Sequence, residues 1–195
     1  LHLAAGQAPA RAQAQARVMA CLLDHGANVD ALDGIRETPL HIPAARNNAG
    51  LVKLLLEHGA KAETADRNGM TPLLWAAAAD DQGRTVRMLL DHGARVDASN
   101  ANGHTPLHLA AANGRAAAAE VLLTRGARWD AQDKNGAAPL AHACGSTAKV
   151  LLAHGADIGI DGEARGRQQP AKRHPITPVE PKPIGQPQPA RDAAV

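Results

Sequence analysis

The chain has 195 residues, with 21 Lys or Arg against 19 Asp or Glu and a formal net charge of +2, and it contains no Phe, no Tyr and two Trp. A balance this close to neutral gives no basis for electrostatic steering onto DNA, and the shortage of rings removes the platforms on which single-stranded nucleic acid stacks. No run approaches 18 consecutive apolar residues, so no helix-forming segment is suited to crossing a membrane.

In chain order, the opening Leu-His-Leu-Ala-Ala reads as the interior of a helix with no opener ahead of it. The expectation is a chain that begins inside a repeated unit and is a fragment of something longer. Gly-Ala closes an apolar run at residues 26, 59, 93, 126 and 155, and Thr-Pro-Leu recurs at 38, 71 and 105, with Ala-Pro-Leu at 138. Two landmarks in phase at 33 or 34 residues define a repeat. A period of that size means a supersecondary unit that buries its apolar face only by stacking on its neighbours.

The copy from Asn102 to Asp130 shows what each residue does. Thr105 offers an oxygen to the orphan N–H groups of a helix start, and Pro106 takes the first helical position, where a missing N–H costs nothing. Leu107, Leu109, Ala110 and Ala111 make a short first helix, which Asn113-Gly114 breaks. A second helix carries Val121, Leu122 and Leu123 and stops at Gly126, a residue that tolerates the left-handed conformation after a helix end. From Ala127 the chain is polar and extended, with turn residues Asp133, Asn135 and Gly136 suited to a hairpin-like excursion.

Several positions depart from this pattern. Leu1 to Gly26 spans 25 residues, against 19 from Leu40 to Gly59, so a looped or lengthened helix joint is predicted near residues 6–16. Pro43 falls at the fifth helical position counted from Thr38, where a regular helix would lose about 3 kcal/mol, so this helix is predicted to kink or to begin late, around Pro43 itself. Arg36 stands where other tips have Gly69, Gly103 and Gly136, and requires another turn or strain. Ala138 lacks the capping hydroxyl, and the last copy is short by about one helical turn. Asp80-Asp81, at a one-residue insertion, reads as a solvated turn.

The segments TPLHIPAARNNAGLVKLLLEHGA and TPLHLAAANGRAAAAEVLLTRGA resemble ankyrin repeats, whose unit is a turn plus two helices with the signature T-P-L-H-x-A. The resemblance covers roughly residues 1–160. It implies an all-α ankyrin-repeat solenoid of stacked helix-turn-helix units with hairpin-like loops, in copies near 1–32, 33–65, 66–99, 100–132 and 133–160. Residues 161–195 form a Pro-rich tail predicted to be disordered; 162–195 hold seven of the thirteen prolines and six basic against three acidic side chains, leaving the remainder at −1. Lys172, Pro175 and Pro178 match a docking pattern for proline-binding domains that any such tail meets by chance.

Catalytic and metal chemistry find little support in the sequence. His25, His58, His92 and His154 precede the helix-ending glycines, where imidazole bonds the last carbonyls. The resemblance implies that His41 and His108 tie neighbouring turns together. His104 and His108 are divided by the helix start, and no HExxH or paired-Cys motif accompanies them. Ser99 and Ser146 lack a G-x-S-x-G context. Cys21, on a second helix, and Cys144, on the last first helix, read as distant buried thiols with a mild preference for a reducing, cytoplasmic setting. The expectation is no enzyme, no catalytic residue, no metal and no cofactor.

A stack offers a repeated face for binding, and the resemblance implies a protein partner contacted by hairpin tips and first helices. Carried over by position, the contact residues are Ile35, Arg36, Glu37, Arg67, Asn68, Met70, Ala101, Asn102, His104, Lys134, Asn135 and Ala137, with Ala45, Arg46, Ala78, Ala79, Ala112 and Asn113 on the first helices. Trp75 fills the slot of Ile42 and Leu109 and is expected to pack in the core. Trp129, aligned with Val29 and Val96, is expected to protrude, and together the two tryptophans would bias binding toward the third to fifth copies. The expected assembly is a monomeric protein-protein interaction scaffold without nucleic acid or membrane. The alternative is a substrate-selecting or adaptor module of a larger regulatory enzyme or secreted effector.

Overall fold

Two of the three intact Thr-Pro pairs, Thr71-Pro72 and Thr105-Pro106, open a helix by the chemistry their residues offer. Thr71 and Thr105 hold extended backbone, with ψ of 163° and 167°. The Thr71 hydroxyl accepts the Leu74 N–H at 3.4 Å, and proline follows at the first helical position in both cases. Second helices end alike. A glycine of positive φ, such as Gly59 at 82°, lets the next N–H reach back, as in Ala60 to the Leu55 carbonyl at 3.0 Å and Ala127 to Leu122 at 2.9 Å.

The computed structural model describes residues 12–156, which lie in one unit, Leu1–Gly159. Among the described residues there are nine helices and no strand: α1 (Ala12–Asp24), α2 (His41–Ala45), α3 (Ala49–Glu57), α4 (Pro72–Ala79), α5 (Arg84–Asp91), α6 (Pro106–Ala112), α7 (Ala116–Thr124), α8 (Pro139–His142) and α9 (Gly145–Ala153). The first helices α2, α4, α6 and α8 pack in succession as one row, and α1, α3, α5, α7 and α9 form a second. Within the middle copies α2 rests on α3, α4 on α5 and α6 on α7.

One apolar cluster runs the length of both rows, from Met19 through Leu55, Leu89 and Leu122 to Leu151. Ala76, Ala77, Ala110 and Ala111 are fully buried on the first helices, where their small side chains let neighbouring backbones approach. Fully burying one Leu contributes roughly 1.5–3 kcal/mol, and each tier holds only a few, so no tier is stable alone.

The departures resolve in physical terms. The helix containing Pro43 begins late, at His41 rather than at the proline after Thr38, and is only five residues long. Pro43 therefore sits at its third position, where the N–H it lacks would have had no intrahelical partner. Arg36 adopts the glycine conformation, with φ 67°, and carries the strain itself. In the first copy α1 has 13 residues against 8 or 9 for α3, α5, α7 and α9, and residues 6–11 of the predicted joint lie outside the described residues. Ala138 makes no side-chain cap, and α8 is cut to four residues.

Three expectations need correction. Asp80 is not a solvated turn: it is fully buried, and its carboxylate accepts the N–H groups of Gln82, Thr85 and Val86 at 3.1, 2.6 and 3.1 Å, capping α5 where Gly83 offers no side chain. Asp81 alone is exposed, and it pairs with Arg115. Cys21 and Cys144 are both exposed, Cys21 on the outer side of α1. Cys144 lies not on a first helix but at the start of α9, because α8 ends early. The tail at 161–195 and the opening residues 1–11 lie outside the described residues.

Candidate functional site at the hairpin tips and first helices

Four hairpins lead into the first helices, and each is closed around one side chain, of which the sequence reading singled out only Asp133 as a turn residue. Asp33, Asp66, Asn100 and Asp133 all stand five residues before the capping position. The Oδ1 of each accepts two backbone N–H groups, two and four residues on: Ile35 and Glu37, Asn68 and Met70, Asn102 and His104, Asn135 and Ala137, at 2.7–3.0 Å. The same four residues donate their own N–H to the carbonyls of Glu37, Met70, His104 and Ala137. The signal was present in the sequence as an Asp or Asn at a fixed offset.

Successive tips are then joined by a single backbone bond: Arg67 N–H to the Ile35 carbonyl at 3.2 Å, Ala101 to Asn68 at 2.9 Å and Lys134 to Asn102 at 3.0 Å. The longest of these involves the tip with Arg36 in place of glycine. A Cβ on Gly103 would lie 2.9 Å from the Lys134 backbone nitrogen, so glycine serves both the positive φ of 80° and the close approach.

Histidines of the opener motif complete the frame. His41 accepts the Thr38 N–H on Nδ1 at 2.9 Å and donates Nε2–H to the Met70 carbonyl of the next hairpin at 3.1 Å. His108 repeats this with Thr105, at 3.2 Å, and with Ala137, at 3.0 Å. Burial holds both imidazoles below their ordinary pKa, against the opposing pull of those carbonyls, and keeps them neutral. The glycine-preceding histidines behave as expected in three cases: the Nδ1 of His25, His58 and His92 bonds the carbonyls of Cys21, Leu54 and Met88 at 2.7–2.9 Å. His154 instead turns Nε2 to Glu120, at 3.1 Å.

The sequence-predicted contact residues divide into two groups. Ile35, Arg36, Arg67, Asn68, Ala101, Asn102, Lys134, Asn135, Arg46, Ala112 and Asn113 are exposed. Glu37, Ala45, Ala78, Ala79, Ala137 and His104 are half-buried, and Asn113 also bonds the Leu109 carbonyl at 2.8 Å. Met70 is a correction: it is 9% exposed and lies beneath the tips, with the Asn100 amide 3.5 Å from its sulfur. Trp75 is half-buried against the core with its indole N–H unpartnered, and Trp129 protrudes at 37% exposure. Trp129 follows α7 in the second row while Trp75 lies on α4 in the first, so they do not form one cluster.

Three imidazoles that the sequence separates come together between the last two tips. His104, His108 and His142 have ring centroids 5.7–5.9 Å apart. Asp133 lies against two of them, Oδ2 being 3.0 Å from His142 Nε2 and 3.4 Å from His104 Nε2. The carboxylate is held ionised, its pKa lowered to about 2, first by the Ala137 N–H and then by the Asn135 N–H and His142. Linear spacing concealed this group, because residues 104, 133 and 142 meet only when one hairpin stacks on the next.

Comparison with known proteins supports the same organisation. A family model for ankyrin repeats, three copies long, matches residues 1–100 and again 78–161. No curated protein matches the chain.

Proposed function

The chain belongs to the ankyrin repeat family, a family of protein-interaction modules, and from that premise we propose that it binds a partner protein along its hairpin tips and first helices and performs no chemistry on it. One observation carries this reading: the tip backbones are fixed by a repeated carboxylate or amide and by bonds from tip to tip, while the side chains between them are exposed. A surface ordered before contact loses little freedom on binding. Arg36, Arg67 and Lys134 at the tips and Arg46 just after α2 are exposed, whereas the Asp33, Asp66 and Asp133 carboxylates of the same hairpins accept backbone N–H groups, so the exposed side chains suit a partner presenting carboxylates and amides.

The experiment is affinity capture with the full chain, followed by binding measurements on the captured protein. Arg67→Ala, Asn102→Ala and Asn135→Ala together should weaken binding strongly without loss of helicity. Arg87→Ala and Glu120→Ala on the second row should leave it unchanged. The reverse pattern would remove the proposal.

A further inference from the structure

Two histidines that break the repeat converge on one carboxylate. Counted from the capping position, His104 occupies the slot of Glu37 and Met70, and His142 the slot of Ile42, Trp75 and Leu109. The layer before provides the comparison. There the hairpin side chain is Asn100, and the group it turns toward the preceding tip lies 3.5 Å from Met70 Sδ. One layer on, the amide is a carboxylate, the thioether an imidazole and the leucine a second imidazole. The fold does not require these histidines, since the neighbouring layer closes with Met and Leu.

We propose that His104 Nε2, His142 Nε2 and Asp133 Oδ2 form a binding site for a zinc-type divalent cation. The three donor atoms lie within 4.8 Å of one another. Zinc–ligand bonds of roughly 2.0–2.2 Å in a tetrahedron separate donors by about 3.3–3.6 Å, and the two carboxylate-to-imidazole distances are 3.0 and 3.4 Å. The carboxylate is oriented for this. Its Oδ1 is committed to the Asn135 and Ala137 N–H groups, which turns Oδ2 to the rings. His108 is the wall of the site rather than a ligand, because both its nitrogens are engaged by Thr105 and Ala137.

Two imidazoles and one carboxylate suit first-row divalent ions such as zinc or cobalt, whereas calcium takes roughly six to eight oxygens. The Asp133 side chain is wholly covered, but those of His104 and His142 are 25% and 33% exposed. The ion would enter from the imidazole side and keep at least one position there for water. Its structural effect would be to fasten α8, four residues long and uncapped, to the hairpin before it.

The test uses the full chain stripped of metal by a chelator and titrated with Co2+, read by visible absorption, and with Zn2+, read by competition and by Tm. One equivalent should bind, with a cobalt band of low-symmetry coordination and a higher Tm in zinc. His104→Met, His142→Leu and Asp133→Asn each introduce the residue of the neighbouring layer, so the fold should be retained, as far-ultraviolet dichroism will check. Each should weaken binding at least about tenfold and abolish the cobalt band. A plain Asp–His hydrogen bond would alter Tm in these variants without any cobalt spectrum in the wild type. Absence of that spectrum, or binding as tight in all three variants as in the wild type, would overturn the proposal.

Discussion

Asp80 is the residue on which the third copy's joint turns, and its removal gives the sharpest test of the packing. α4 ends at Ala79, the backbone extends through Asp80, and the chain re-enters a helix after Gly83, whose φ is 67°. Without a capping side chain at Gly83, the first N–H groups of α5 depend on Asp80, whose Oδ2 accepts Thr85 at 2.6 Å and Val86 at 3.1 Å. Both residues are fully buried, so Asp80→Ala leaves two donors that water cannot reach. At about 1–3 kcal/mol for each buried unsatisfied donor, the expected loss for the two is about 2–6 kcal/mol. Gln82 is exposed, and its N–H would turn to water at little cost. The assay is urea denaturation of the full chain, where the midpoint should fall, with hydrogen exchange showing the loss concentrated in α5. Asp80→Asn retains one acceptor and should lose less. A change within about 0.5 kcal/mol for Asp80→Ala, the range of an ordinary surface substitution, would refute the reasoning.

The remaining predictions concern the tips and their histidines. Arg36→Gly should stabilise the array by about 0.5–1 kcal/mol, because roughly 1–2 kcal/mol of left-handed strain is relieved against a smaller entropic cost of glycine, and a lowered urea midpoint would contradict this. Gly103→Ala should act in the opposite direction by at least about 1–2 kcal/mol, and the Lys134 N–H should exchange faster, since the new Cβ meets the backbone at 2.9 Å. His41 is neutral in the fold and its pKa is lowered from 6.5, so the unfolded chain binds its proton first as pH falls. The stability difference between wild type and His41→Gln should therefore narrow as pH drops below 6.5 through the folded value. A difference independent of pH would remove that assignment.

The sequence carried the fold because its signals are local. Thr71-Pro72, Thr105-Pro106 and the helix-ending glycines fix starts and stops within a few residues, and the period arranges the rest. Local reasoning also anticipated that the helix containing Pro43 starts late, though at His41 rather than around Pro43, and the strain at Arg36, since each is a conflict between one residue and one backbone conformation. It went wrong where a residue's environment comes from a neighbouring tier or from a cap at a distance in sequence. Asp80 looks solvated in sequence because its partners, Thr85 and Val86, lie five and six residues on across an irregular turn. Met70 sits at a contact position by sequence, yet the next hairpin covers it through Asn100. The three-ring cluster escaped for the same reason, since His142 meets His104 and His108 from 38 and 34 positions away.

The central claim, that the tips and first helices are the working surface, is tested most directly by a crosslinking map on the full chain. A photoreactive residue placed in turn at Arg67, Asn102 and Asn135, and at Arg87 and Glu120 on the second row, would be irradiated with the captured partner. The account predicts adducts from the three tip positions and none from the second row. Adducts confined to Arg87 and Glu120 would contradict it.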